Sequence, residues 1–507
     1  MKRGIAAGAL LLLAGGLFFS PELKAGNEAD HVIDYLEKNV VTRTMDNGIT
    51  VIMMNRGFSP TVALEISFAV GSADEQYRTE GAAHLLEHML FKGTDRLGTR
   101  NYEKERIILR KIEAVGETID RLKLKDPDHP RLEELGQRLA RLQKEHRAYV
   151  VPSPYDRIYS EKGGVNFNAS TSRDKTGYYL QLPYGQLETW AKIESERLRN
   201  PVFRQFYLER ENVREERRMR YDSSGQGLLS EQFIATAFAA HPYRHPIIGW
   251  SSAIPHLTLD QVRQFYWREY VPGRMTITVV GQLDPEKTFK IISKYFSNIK
   301  ERPEPLRNGI DEPKQRGERR VDVHFDSNPY LMIGWHKPTS PHRHDYVMDL
   351  LSSILGKGHS SRLYKSLVLE KKLASSVVSW NGYPAARDDN LFIIFAAPRE
   401  KVTTRELERA IYRELEKAKE EISGEELERA RTRMEAETVF SMDSNRGIAS
   451  LLSYYQTVMG DWKYVLSYMK VLRTVTAEEV RDVAELYLRE RNRTVGTLVE
   501  EKNDGEK

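Results

Sequence analysis

The sequence predicts an α+β protein built as two large domains. Three observations lead there. The 507 residues exceed what one ordinary hydrophobic core supports. Short runs of period-two apolar alternation, the mark of strands, are interleaved with longer helical patterns. Residues 301–318 hold Pro303, Pro305, Pro313 and many charges, a linker composition, and the order of elements before this segment is echoed after it.

Taken in order, the chain opens on an address. Lys2 and Arg3 precede an apolar run over residues 5–19, and Ala25 offers a small residue for cleavage. Residues 1–25 are therefore expected to be a secretory signal peptide, and the protein periplasmic or exported. The alternative is an uncleaved anchor, for which the run is short, and membrane association would run through this segment alone.

The first domain is expected over residues 38–300. Ile49, Val51 and Met53, then Val62, Leu64, Ile66 and Phe68, recur with strand period. A short apolar helix follows, with Thr79 as its expected N-cap and Gly93 as its stop. Residues 101–157 break the pattern. Segments 102–124 and 131–149 are charged and periodic, separated by a turn at 125–130, and read as an inserted helical hairpin. Strand character returns over 165–182, helices over 187–199 and 209–221, a strand over 275–281 and a helix over 285–296.

The second domain is expected over residues 319–500. Strands read at 321–325 and 330–335, a helix at 346–355, a strand at 390–397, charged helices through 404–439 and a closing strand at 494–499. Residues 501–507 read as a frayed charged tail.

Composition removes several classes of function. Hydrophobic content is 40% and charged content 30%, as in globular rather than disordered chains. Net charge is only +4, with no basic cluster interleaved with aromatics, so no nucleic-acid partner is expected. With no Cys there is no disulfide framework and no thiolate metal site.

The chemistry is carried by His84-Leu85-Leu86-Glu87-His88, an H-x-x-E-H pattern. The two His are spaced i, i+4, so on a helix both imidazoles leave one face a turn apart. That geometry brings two nitrogens to one tetrahedral Zn²⁺. Glu87 lies beside that face, in reach of a water activated by the metal, as general base. Ala82, Ala83, Leu85, Leu86, Met89, Leu90 and Phe91 make this helix apolar on nearly every side. A buried helix with two His and a Glu is costly unless they are paired or hold a metal.

Catalytic zinc takes three protein ligands, so a third is needed. The segment 209–218 is helical in pattern and carries Glu209, Glu211, Glu215 and Glu216. Glu209 and Glu216 are seven apart and share a face, but composition alone does not choose among the four.

The chain resembles the pitrilysin-type zinc metallopeptidases, in their processing-peptidase-like branch. The likeness is carried by Val70-Gly71-Ser72, Asp74-Glu75, the stretch from His84 to Thr94, Gly163-Gly164, the stretch from Asn168 to Asp174, residues 209–222, His241-Pro242-Tyr243 and Ile248-Gly249. It implies two domains of the same fold, each a mixed, mostly antiparallel β-sheet covered by helices, the second without a zinc motif. It implies Glu216 as third ligand of one Zn²⁺ per chain, with Glu209 supporting it. It implies that the strand bearing Asn168 and Ala169 accepts peptide substrate as an added strand.

One departure shapes the expected function. Relatives commonly carry an Arg and a Tyr in the second half that hold the substrate carbonyl opposite the zinc. Here Leu369 and Ser375 stand at those places, with Arg362 and Tyr364 nearby. The resemblance thus points to a zinc-dependent endopeptidase subunit acting on peptides or unfolded segments. A paralogous zinc-less subunit would supply the Arg/Tyr pair and close a two-part clamshell. The alternative is a non-catalytic, peptide-binding scaffold.

Overall fold

The computed structural model describes residues 25–500 except Phe58 and Asn308. The expected signal segment, Ala25 aside, and the tail 501–507 lie outside the described residues. No helix among the described residues is long and apolar enough to cross a membrane.

Eleven strands form two sheets among these residues. The first holds β1 (Val40–Thr44), β2 (Thr50–Asn55), β3 (Thr61–Phe68), β4 (Val165–Thr171), β5 (Thr176–Pro183) and β6 (Met275–Gly281), in the order β1-β2-β6-β3-β5-β4. The second holds β7 (Arg319–Phe325), β8 (Tyr330–Lys337), β9 (Ala374–Tyr383), β10 (Asn390–Pro398) and β11 (Arg493–Glu500), in the order β7-β11-β8-β10-β9. Each sheet is antiparallel except for one parallel pair, β2 with β6 and β7 with β11. In both, the last strand returns to slot beside the earliest long one, and a hairpin (β4–β5, β9–β10) builds one edge. The fold is therefore a mixed α+β architecture with one pattern used twice. The described residues of 301–318 carry neither helix nor strand.

Among the described residues, ten α-helices belong to the first half: α1 (Ala25–Asn39), α2 (Ala82–Leu90), α3 (Tyr102–Lys125), α4 (Arg131–His146), α5 (Pro154–Glu161), α6 (Leu187–Arg199), α7 (Phe206–Arg217), α8 (Gly225–Ala237), α9 (Leu259–Glu269) and α10 (Pro285–Phe296). The second half adds α11 (Arg343–Gly356), α12 (Thr404–Glu420), α13 (Gly424–Ser441), α14 (Asn445–Val458), α15 (Tyr464–Thr474) and α16 (Ala477–Tyr487).

Strand alternation decides what each sheet face buries. Val51, Met53, Leu64, Ile66, Ile277 and Val279 form one core with α2, α6 and α10. The opposite face of the same strands presents Ile52, Met54, Ala63 and Val280, and these meet Ile448, Ala449 and Leu452 of α14, a helix of the second half. The reverse also holds. Leu229, Phe233, Ile234 and Ala237 of α8, from the first half, cover Met332, Leu391, Ile393 and Leu498 of the second sheet. Gly334 and Gly496 make room for this helix, since a Cβ at either would lie 2.9 Å from the Phe233 ring. Each half thus lends a helix to the other's sheet.

Polar contacts tie the same boundary. Glu65, buried on β3, accepts bonds from Lys175 Nζ (2.7 Å) and from Ser453 of α14 (2.9 Å). Asp174 accepts the N–H groups of Ala386 and Arg387 at 2.9 and 3.0 Å and the Tyr243 hydroxyl at 2.7 Å, while Arg387 reaches Asp74 at 3.0 Å.

The inserted hairpin is α3 and α4, joined through Val115, Ile119 and Leu135. It is docked on α7. Tyr207 lies directly over Gly116, where a Cβ would be driven into the ring. Asp120 forms two bonds with Arg210 at 3.0 and 3.1 Å, both side chains being buried.

Candidate metal centre

Helix α2 starts without a side-chain N-cap. Thr79, expected in that role, instead closes the turn before it, bonding the carbonyl and N–H of Gln76. Gly81 is the N-cap, with φ +96°, where a Cβ would lie 2.6 Å from the Ile248 carbonyl. The free N–H groups of Gly81 and Ala83 are taken by the buried carboxylate of Glu75, at 2.9 and 2.8 Å. That carboxylate does what a cap does, from outside the helix. The helix ends at Leu90 with Phe91 as its C-cap, two residues before the expected stop Gly93, which takes φ +93° in the segment that follows.

Helix α7 presents its four Glu to two environments. Glu211 and Glu215 face solvent and pair with Arg214 and Arg218. Glu209 and Glu216 face α2. Glu216 is brought to both His, with its oxygens 3.7 Å from His84 Nε2 and 3.5 Å from His88 Nε2. Glu209 lies behind, 3.5 Å from His88 Nδ1 and 2.6 Å from Lys92 Nζ. The helix seen over 209–221 in the sequence ends at Arg217 and continues as a wider π turn, Arg218–Asp222. From that turn Arg220 reaches Glu216 at 2.8 Å.

Electrostatics sort the roles. Burial, with the charges of His88 and Arg220, holds His84 down to about 3, so its imidazole is neutral. Burial also acts on His88, but the carboxylates of Glu209, Glu87 and Glu216 outweigh it and raise its pKa. Burial lifts Glu87 above the usual carboxylate range, against a bond from Thr171 Oγ1 of 2.5 Å. Glu209 is held below that range, since His88 and Lys92 overcome its burial.

The donor set fits zinc. Tetrahedral bonds of about 2.0–2.1 Å put ligand atoms about 3.3–3.5 Å apart. The two nitrogen–oxygen distances given above approach that, and all three donor atoms lie within 4.8 Å of one another. Two nitrogens and a carboxylate oxygen are a borderline-soft set of the kind Zn²⁺ takes, with a fourth position left over.

Strand β4 is the sheet edge beside α2, with Thr171 linking it to Glu87. Asn168 is exposed and its Oδ1 accepts the Ala169 N–H at 2.8 Å, while Ala169 is buried and pairs with Tyr178. The pairing slips between Val165 and Asn168, where Asn166 has φ +57°. In the second half, Leu369 is 54% exposed and Ser375 bonds the carbonyls of Ala397 and Pro398. Arg362 is committed to Glu426, at 2.5 and 2.7 Å, and Tyr364 packs on His359. Arg362 is therefore not a free substitute for the expected Arg.

Thr171, Lys92, Glu75 and Arg220 were missed by sequence reasoning. All four lie within the stretches that carry the family resemblance, but only the fold brings Thr171 to Glu87, Lys92 to Glu209, Glu75 to the start of α2 and Arg220 to Glu216.

A model described as Insulinase (Peptidase family M16) matches residues 50–120 and 157–250, and one described as Peptidase M16 inactive domain matches 256–434. The chain belongs to peptidase family M16. The first M16 model holds the H-x-x-E-H helix and α7 and passes over 121–156, the larger part of the hairpin. Among relatives, the chain is similar to zinc protease PqqE of Helicobacter pylori, 28% identical over 92% of this chain and 93% of that one. It is also similar to an uncharacterized zinc protease, YmxG, of Bacillus subtilis, at 22% identity over 87% of this chain and 94% of the other. A crystal structure of a protease from Helicobacter pylori superposes with TM-score 0.76 at 26% identity, over 90% of this chain and 99% of that one. M16 relatives are thus named zinc proteases, and their fold is the fold described above.

Proposed function

We propose that this M16 protein is a zinc-dependent endopeptidase acting on peptides or unfolded segments, as the zinc-bearing half of a heterodimer. The observation that carries the reading is the convergence of His84, His88 and Glu216, with Glu87 at the same mouth beside an open strand edge. Those three residues would hold one Zn²⁺ per chain. Bound there, the ion would act as a Lewis acid, easing deprotonation of water and polarising a carbonyl.

The remaining work belongs to the chain's own side chains. Glu87, oriented by Thr171, takes a proton from the attacking water and passes it to the leaving amine. Burial raises its pKa above the usual carboxylate range, the direction that favours accepting a proton. Glu209 lies 3.5 Å from His88 Nδ1, an ion-pair contact that favours the ring orientation with Nε2 toward Glu216. The outer edge of β4, at Asn168 and Ala169, offers N–H and C=O groups to an extended peptide. Such an edge reads backbone, so it favours unfolded segments.

The oxyanion side is assigned to a partner. Leu369 and Ser375 bring no charge or phenol to the site, and Arg362 is already paired. A zinc-less paralogue supplying an Arg and a Tyr completes the chemistry. The basic and apolar N-terminal pattern supports export to the periplasm.

The test is metal content and peptide hydrolysis on one sample, with Glu87→Gln as control. Stoichiometric zinc, weak cleavage alone and strong cleavage with the partner is the expected result. Strong cleavage by the chain alone would remove the partner from the reading. Absence of zinc would leave the non-catalytic scaffold.

A further inference from the structure

The two helices that carry the metal-binding side chains are spaced by a buried charged hub. Arg204, two residues before α7, is 1% exposed. Its Nε and Nη2 bond both oxygens of Glu105 on α3, at 2.8 and 3.1 Å. Its Nη1 bonds the carbonyls of Lys92 and Leu97, at 2.7 and 3.3 Å, and Nη2 bonds that of Thr94 at 2.7 Å. Lys92, Thr94 and Leu97 belong to the segment that leaves α2. One guanidinium therefore joins the exit of α2 to the entry of α7.

The hub is closed by the inserted hairpin. Glu105 is fully buried, and His146 Nε2, at the end of α4, lies 2.8 Å from its Oε1. Outward from the hub, Lys92 bonds Glu209 at 2.6 Å, and Glu209 lies 3.5 Å from His88 Nδ1. The run His146, Glu105, Arg204, Lys92, Glu209 leads from the hairpin to His88 through polar contacts and one peptide segment.

A buried ion pair is a poor source of stability, because desolvation offsets its attraction. What fixed donors and acceptors add is direction. Arg204 makes bonds in one plane to three carbonyls and a carboxylate, which fixes both the distance and the roll of α7 against α2. The roll decides whether Glu209 and Glu216 face the His pair.

We propose that His146, Glu105 and Arg204 are positioning residues for the metal centre, and that the inserted hairpin braces the ligand helices rather than gating the site. The proposal rests on the zinc reading above. His146 lies in residues 121–156, outside the match to the M16 model, so this link is contributed by the insertion itself.

The experiment compares His146→Leu, which removes the ring nitrogen, with His146→Gln, whose amide can still donate to Glu105. Zinc affinity is measured by competition with a chromophoric chelator, cobalt-substituted protein gives d–d spectra, and thermal melting is recorded on metal-free protein. The expected result is about tenfold weaker zinc binding and shifted cobalt bands in His146→Leu, with His146→Gln returning most of both. A lowered melting temperature with unchanged affinity and spectrum would overturn the brace. Where His146→Leu does not fold, Glu105→Gln keeps the shape of the hub but removes the carboxylate that His146 and Arg204 share, and unchanged affinity and spectrum there overturn it equally. Wild-type protein that binds neither metal removes the zinc reading itself, a result distinct from either variant outcome.

Discussion

The docking of the hairpin on α7 can be tested by one methyl group placed at two glycines. Gly116 in α3 and Gly136 in α4 both sit inside helices. Glycine in a helix interior costs about 1 kcal/mol against alanine, so Ala at either gains the same propensity. Their surroundings differ. A Cβ at Gly136 meets nothing within 4 Å, whereas one at Gly116 runs into the ring and hydroxyl of Tyr207, itself 6% exposed. Gly136→Ala should therefore stabilise by about 0.5–1 kcal/mol. Overpacking a closed site costs about 1–3 kcal/mol, so Gly116→Ala should lie below Gly136→Ala by that amount. Urea unfolding followed by circular dichroism reads both, and propensity cancels in the difference. Tyr207→Leu opens the space, so the cost of Gly116→Ala should shrink in that background, a coupling that a double-mutant cycle isolates. Equal stabilisation by both alanines would refute the docking of Tyr207 on α3.

Three further outcomes are expected. Glu209→Gln removes the charge behind His88 and should weaken zinc binding about 10- to 100-fold by chelator competition; an unchanged constant would separate Glu209 from the site. Arg220→Gln removes the cation that pairs with Glu216 and should strengthen zinc binding about two- to fivefold, within the small worth of an exposed pair. Glu105 is held down to about 2 because bonds from His146 and Arg204 overcome its burial. A depressed carboxyl stabilises the fold above its ordinary value near 4.5 and loses that contribution as pH falls toward 2. Urea midpoints should therefore drop over that range, and Glu105→Gln should flatten the drop; parallel curves for both proteins would contradict the assignment.

The helix of the candidate metal centre was legible because its signal is local: His84 and His88 at i, i+4 inside an apolar run need no tertiary information. The third candidate ligand was not legible in the residues alone. Four Glu crowd one helix, and only the packing of α7 against α2 turns Glu209 and Glu216 inward and leaves Glu211 and Glu215 to Arg214 and Arg218. Thr79 failed as a cap because Glu75, eight residues before Ala83, reaches the helix start through space. Strand β9 was missed because Ser375, Ser376 and Ser379 dilute its apolar pattern, and α8 and α14 because what they cover lies in the opposite half of the chain.

The exchange of α8 and α14 leaves the molecule without an internal seam. Pulling the halves apart would bare an apolar sheet face on each, a surface that soluble proteins rarely tolerate. A protease that nicks 301–318 would leave a clipped but whole particle, since neither fragment carries the cover for its own sheet. By the same token 301–318 is a tether and not a hinge. In the heterodimer proposed above, the aperture for a long polypeptide would lie at the border with the partner, because each half covers the other's sheet.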